Sequence, residues 1–124
     1  METVSTCISP PYSLVLLLDP EKGVVPQTMA GRLVAATESC VAVGCRAQDD
    51  GSTRITMGKA VHVDPGYQPL FEGEIETPSQ YLEVQSVEGT TLLRTSVQGH
   101  RTRVSIWVND TKEPDEIIVG IDAD

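Results

Sequence analysis

Phe71-Glu72-Gly73-Glu74-Ile75-Glu76-Thr77, followed across Pro78-Ser79-Gln80 by Tyr81-Leu82-Glu83-Val84-Gln85-Ser86-Val87, is the stretch that decides the fold. Strand side chains alternate between two faces, so with Phe71, Ile75, Leu82 and Val84 turned inward, Glu72, Glu74 and Glu76 must stand together on the opposite face. The result is an apolar strand face backed by an acidic ladder. Pro78-Ser79 then hinges the ladder, over residues 69–77, onto a partner strand over 80–88.

The same period-two reading extends in both directions. Downstream, Glu88-Gly89 turns the chain into a strand over 91–97, and Gln98-Gly99-His100 turns it into one over 102–109. In the latter, Val104, Ile106 and Val108 face one way and Arg103, Ser105 and Trp107 the other. A polar loop, 110–115, precedes a last strand over 116–122 with Ile117, Val119 and Ile121 inward.

Upstream, residues 1–11 read as a loose lead-in. A strand opened by Tyr12 then runs through the continuously apolar Leu14–Leu18, which suits burial on both faces, and Asp19-Pro20 stops it. Cys40–Gln48 alternates with Val41, Val43 and Cys45 on one face. Asp49-Asp50-Gly51-Ser52 predicts a hairpin to a strand over 53–63. Gly58 in that strand predicts a bulge that turns Val61 and Val63 inward again. Between Pro26 and Ser39 the spacing of Met29, Leu33 and Ala36 predicts one short helix near 27–36, with an irregular crossover as the alternative.

About eight short strands with frequent turns and at most one short helix define an all-β fold. The expected architecture is a single-domain antiparallel β-sandwich over 1–124, of jelly-roll or Greek-key type. A chain of 124 residues buries enough surface to fold without disulfides or metal. Only five aromatic residues are present, Tyr12, Tyr67, Phe71, Tyr81 and Trp107, so Val, Ile and Leu build the core.

The formal charge is -9, and it is unevenly spread: 7 acidic against 5 basic residues up to Leu70, then 11 against 4 from Phe71 onward. Such a field repels phosphate backbones and anionic membranes and attracts a basic protein surface. Neither nucleic acid nor membrane is therefore expected as a partner. Three cysteines, Cys7, Cys40 and Cys45, are an odd set with no framework spacing, which suits a reducing, cytoplasmic setting. The apolar run 14–18 is too short for a signal peptide core or a membrane span.

Catalytic chemistry finds no constellation. His62 sits beside Asp64 on the parity opposite Val61 and Val63, and His100 sits in a turn, so both read as surface histidines. No nucleophile elbow, phosphate-cradling glycine run, Cys-x-x-Cys or calcium loop occurs, and neither cofactor nor metal is expected. Cys40 and Cys45 are separated by an odd offset, which places them on opposite faces of their strand. Non-enzymatic binding is the expectation that remains, with Glu72, Glu74, Glu76 and Trp107 as the partner-binding residues. Trp107 admits two readings, an exposed interface anchor or a ring packed beneath a loop.

Arg103-Val104-Ser105-Ile106-Trp107-Val108, an acidic loop and Ile117-Ile118-Val119-Gly120-Ile121-Asp122 resemble the ending of the bacterial competence protein J family, small all-β inhibitors of a DNA-entry nuclease. The strand opened by Tyr12, the segment Ser39-Cys40-Val41-Ala42-Val43 and the segment Phe71–Ile75 fall in a similar order, so the resemblance spans residues 12–122. It implies a non-enzymatic protein, an inhibitor or immunity-type partner, that binds and silences a nuclease or toxin, and the acidic surface leads us to expect that the partner is basic. The alternative is a small-ligand or carbohydrate-binding β-sandwich, which requires an apolar-walled pocket near the aromatics. Monomer and homodimer both stay open.

Overall fold

In the computed structural model, which describes residues 2–122, the alternating segments form ten strands. They are β1 (Val4–Ile8), β2 (Leu14–Leu18), β3 (Val34–Ala36), β4 (Cys40–Gly44), β5 (Thr53–Lys59), β6 (Phe71–Glu76), β7 (Tyr81–Ser86), β8 (Thr91–Ser96), β9 (Arg101–Val108) and β10 (Glu116–Ile121). A four-residue helix, α1 (Ala60–Val63), follows β5. The strands make two five-stranded sheets. One, the ladder sheet, has the order β1-β5-β10-β9-β6; the other, the covered sheet, has the order β3-β4-β2-β7-β8.

Alternation places the core between the sheets. From the ladder sheet Ile55, Met57, Ile75, Val104, Ile106, Ile117, Val119 and Ile121 point inward, and from the covered sheet Val15, Leu17, Val41, Val43, Leu82, Val84 and Leu93 meet them. Phe71 packs against this core from the edge and stays half-buried. The continuously apolar β2 is buried on both faces. Leu16 and Leu18 join Cys40 and Ala42 in a second cluster on the outside of the covered sheet, capped by Met29 of the 19–33 crossover. Burying each of those leucines contributes roughly 1.5–3 kcal/mol, enough to hold a crossover that has no regular structure of its own.

Several sequence expectations need correction. The expected loose lead-in instead contains a strand: β1 pairs antiparallel with β5, from Val4 opposite Met57 to Ile8 opposite Thr53. The first covered strand begins at Leu14, because Tyr12 and Ser13 take left-handed backbone angles in a short 3-10 turn. No helix forms over 27–36; the irregular crossover is what occurs, and it ends in β3. Ala30 and Gly31 both have positive φ, which a right-handed helix forbids. The spacing of Met29 and Leu33 has another cause: Met29 packs on the outer cluster and Leu33 on the main core. The sheet pairing is not wholly antiparallel either, since β10 lies parallel to β5.

Two expected strand pairs are instead passages between sheets. Asp49-Asp50-Gly51 carries the chain from β4 in the covered sheet to β5 in the ladder sheet, and Pro78-Ser79 carries it from β6 to β7. Gln98-Gly99-His100 likewise leads from β8 to β9 across the layers. Asp19 fastens the Pro78-Ser79 passage. Its carboxylate is fully buried. One oxygen accepts the backbone N–H groups of Glu21 and Lys22 at 2.9 and 2.8 Å, the other the N–H and hydroxyl of Ser79 at 3.0 and 2.6 Å. Burial pushes the Asp19 carboxyl upward, but the bonds from Ser79, Lys22 and Glu21 together outweigh it and hold the group below its ordinary value.

Candidate partner-binding face

The outside of the ladder sheet gathers the residues singled out from sequence. β6 is an edge strand, paired antiparallel with β9 so that Glu72 lies opposite Ser105, Glu74 opposite Arg103 and Glu76 opposite Arg101. The three glutamates share the outward face as the alternation requires. Glu72 and Glu74 are exposed and Glu76 is half-buried.

Charge on this face is partly paired. Arg103 bridges Glu72 at 3.4 Å and Asp122 at 3.6 Å, and Arg101 lies 3.7 Å from Glu74. All of these side chains are about half exposed, so each pair contributes at most about 1 kcal/mol and exchanges freely with water. Asp64, the residue that caps the end of α1, adds a fifth carboxylate to the face shared with Glu72. Five carboxylates thus surround two guanidinium groups, and the face keeps a negative excess. Sequence reading passed over Arg101 and Arg103 as partners of the ladder; their shared parity with Trp107 in β9 was the available signal.

Trp107 sits on this outer face, on the parity opposite Val104, Ile106 and Val108, yet it is only 4% exposed. The packed-beneath-a-loop reading is the one the structure adopts. The chain after β5 turns into α1 instead of continuing as a strand, and the segment from α1 to Leu70 folds over the indole. Nε1 of Trp107 donates to the backbone carbonyl of Tyr67 at 2.9 Å. Gly58 and Gly120 lie side by side in β5 and β10 beneath this cover. A Cβ on Gly120 would sit 2.6 Å from the Trp107 ring and 3.0 Å from the Ala60 backbone, and one on Gly58 would meet Thr3 at 2.6 Å. Gly58 therefore marks a close approach and not a bulge, and Val61, expected inward, is instead 83% exposed on α1.

Between α1, β6 and β9 lies a shallow depression of roughly 280 Å³ lined by Asp64, Glu72, Arg103, Ser105, Asp122 and the rim of Trp107, with Ala60 and Val61 at its side. Ligand pockets typically run from about 300 to 1,000 Å³ with mostly apolar walls. This one is smaller, open and crossed by ion pairs, which suits side chains of a macromolecule better than an enclosed small molecule.

The expected histidines are both exposed, His62 on α1 and His100 in the β8–β9 turn. Cys40 faces the outer cluster and Cys45 the main core, on opposite sides as their spacing requires. Burial pushes the Cys40 thiol up to about 12 and raises that of Cys45 as well. No group of three or more His, Cys, Asp or Glu side chains is poised for a metal among the described residues, and no helix there is long and apolar enough to cross a membrane.

The geometry defines a class: a two-sheet β-sandwich with a charged outer face on one sheet. Two solved structures share that fold along nearly the whole chain. One is ComJ from Bacillus subtilis, described as the inhibitor of the DNA degrading activity of NucA, with a TM-score of 0.69, 10% identity, and coverage of 99% of this chain and 98% of that one. The other is the crocagin biosynthetic gene J product, with a TM-score of 0.56, 10% identity, and coverage of 99% and 97%. At such identity the likeness establishes the fold. No protein-family profile matches the chain, and no curated protein sequence does.

Proposed function

We propose that this chain is a non-enzymatic, inhibitor-type binding protein whose partner is a basic nuclease or toxin, engaged through the acidic outside of the ladder sheet. The observation that carries the reading is the ladder itself: Glu72, Glu74 and Glu76 stand outward on an exposed edge strand and, with Asp64 and Asp122, outnumber the guanidinium groups among them. Complementary charge of this kind accelerates encounter and selects the partner, and it weakens as salt rises. The fold shared with a nuclease inhibitor supports the same class of role. A reducing cytoplasm, which leaves the three free thiols intact, is the setting this reading assigns. The shallow depression beside Trp107 lends the small-ligand alternative no apolar-walled pocket.

The test is affinity capture from the native lysate at low and high salt, followed by a DNA-degradation assay on the captured protein. The expected result is a basic protein, retained at low salt and released at high salt, whose degradation of DNA the added chain suppresses. The triple variant Glu72→Lys, Glu74→Lys, Glu76→Lys should lose suppression while melting near the parent. Full suppression by that variant would overturn the assignment and leave the ladder as a solvated strand face.

A further inference from the structure

The two sheets stack so that β6 lies over β4 at one side of the sandwich and β1 over β8 at the other. On the β6 side two backbone hydrogen bonds and the unbroken register from Phe71 to Glu76 fix the pattern. The N–H of Thr77 donates to the carbonyl of His100 at 2.8 Å, inward to the neighbouring strand, whereas the N–H of Glu76 points the other way and donates to the carbonyl of Glu38 at 2.8 Å. Antiparallel ladders alternate in this sense. The N–H and C=O groups of Glu72 and Glu74 therefore also point away from β9, and among the described residues no backbone group meets them. The free edge is short, acidic on its outer face and apolar on its inner face, where the half-buried Phe71 lies with its ring 3.0 Å from where a Gly73 Cβ would stand.

We propose that this edge is a strand-addition site, at which an extended segment of the partner pairs with β6 through the backbone of Glu72 and Glu74. The occupant is a strand with Lys or Arg at every second position and apolar or small residues between. Its basic side chains fall on the ladder's face, where cross-strand neighbours stand about 5 Å apart, and its apolar ones extend the core past Phe71. A second copy of this chain is the wrong occupant, because pairing β6 with β6 sets glutamate against glutamate. The ladder thus opposes self-association and favours a basic strand. Ser105 lies opposite Glu72 on the same face. It is 7% exposed and lines the depression beside Glu72.

The inference rests on the protein-binding reading above, and its test separates the two. The isotope-labelled full chain is titrated with the synthetic peptide Thr-Lys-Thr-Lys-Val-Lys-Thr-Lys, with Glu replacing Lys in a control peptide. The expected result is salt-sensitive binding of the basic peptide alone, with hydrogen exchange at the amides of Glu72 and Glu74 slowed about tenfold or more at saturation, the worth of one backbone hydrogen bond. Glu74→Pro and Glu74→Gln lose the same charge, but only the proline removes the outward N–H, a change an edge strand accepts. Glu74→Pro should bind about tenfold more weakly than Glu74→Gln. Equal affinities, or unchanged exchange at Glu72 and Glu74 when peptide is bound, would overturn strand addition, as would absence of binding. The exchange measurement uses the unaltered chain and decides even where the proline variant does not fold. A partner that is still suppressed in the DNA-degradation assay under any of those outcomes leaves the inhibitor reading standing without the edge.

Discussion

Replacing Asp19 by alanine tests how the two sheets are tied. The wild-type carboxylate is fully buried and satisfies four donors, the N–H groups of Glu21, Lys22 and Ser79 and the hydroxyl of Ser79. Ser79 lies 60 residues along the chain, so the bond joins the end of β2 to the β6–β7 passage. Removing the acceptor strands donors that cost about 1–3 kcal/mol each where water cannot reach them. Some of these groups are only part-buried and recover water, which brings the expected total to about 3–5 kcal/mol, a large share of the roughly 5–15 kcal/mol that holds a domain together. For a chain of this length the melting temperature should fall by about 12–20 °C. Because the folded-state pKa of Asp19 is depressed, its contribution is full above the ordinary carboxylate value of 3.8 and is lost as the pH falls below it through the folded value. Circular-dichroism melts at pH 7 and along a descending acid series should therefore show the gap between Asp19→Ala and wild type narrowing only at the acid end. A loss under about 1 kcal/mol at pH 7, or a gap independent of pH, would refute the view that this carboxylate fastens the passage.

The chain's one tryptophan is buried, so native fluorescence should be blue-shifted; Gly120→Ala, which drives a methyl into the Trp107 ring, should shift it red and cost about 1–3 kcal/mol in a denaturant titration. Trp107→Ala should cost about 3–5 kcal/mol by the same measure. Thiol titration of the folded protein at pH 8 should modify the exposed Cys7 alone, since Cys40 and Cys45 are buried with raised pKa values; reaction of all three before unfolding would contradict that packing.

Apolar patterning made β2 and β4 to β10, their inward faces and the outward ladder legible, but not β1, β3 or the order in which the strands pair. What alternation and turn chemistry could not convey is where a turn delivers the chain. Asp49-Asp50-Gly51 and Pro78-Ser79 reverse direction as their residues demand, but whether the next strand lies beside the last or across from it is decided by partners such as Asp19, far away in sequence. The β5–β10 pairing is hidden for the same reason. At the site, the parity of Trp107 was readable and its burial was not, because the cover comes from residues 60–70 folding back over two glycines. Met29 and Leu33 mimicked helical spacing while serving opposite faces of one sheet.

The parallel contact of β5 with β10 has a consequence for biosynthesis. The middle of the ladder sheet stays vacant until β10 is made, so a nascent chain holds β1 and β5 on one side and β9 and β6 on the other with no strand between them. Long-range closure of this kind slows folding, and a ribosome-stalled product ending before residue 116 should remain protease-sensitive throughout, however complete its other strands.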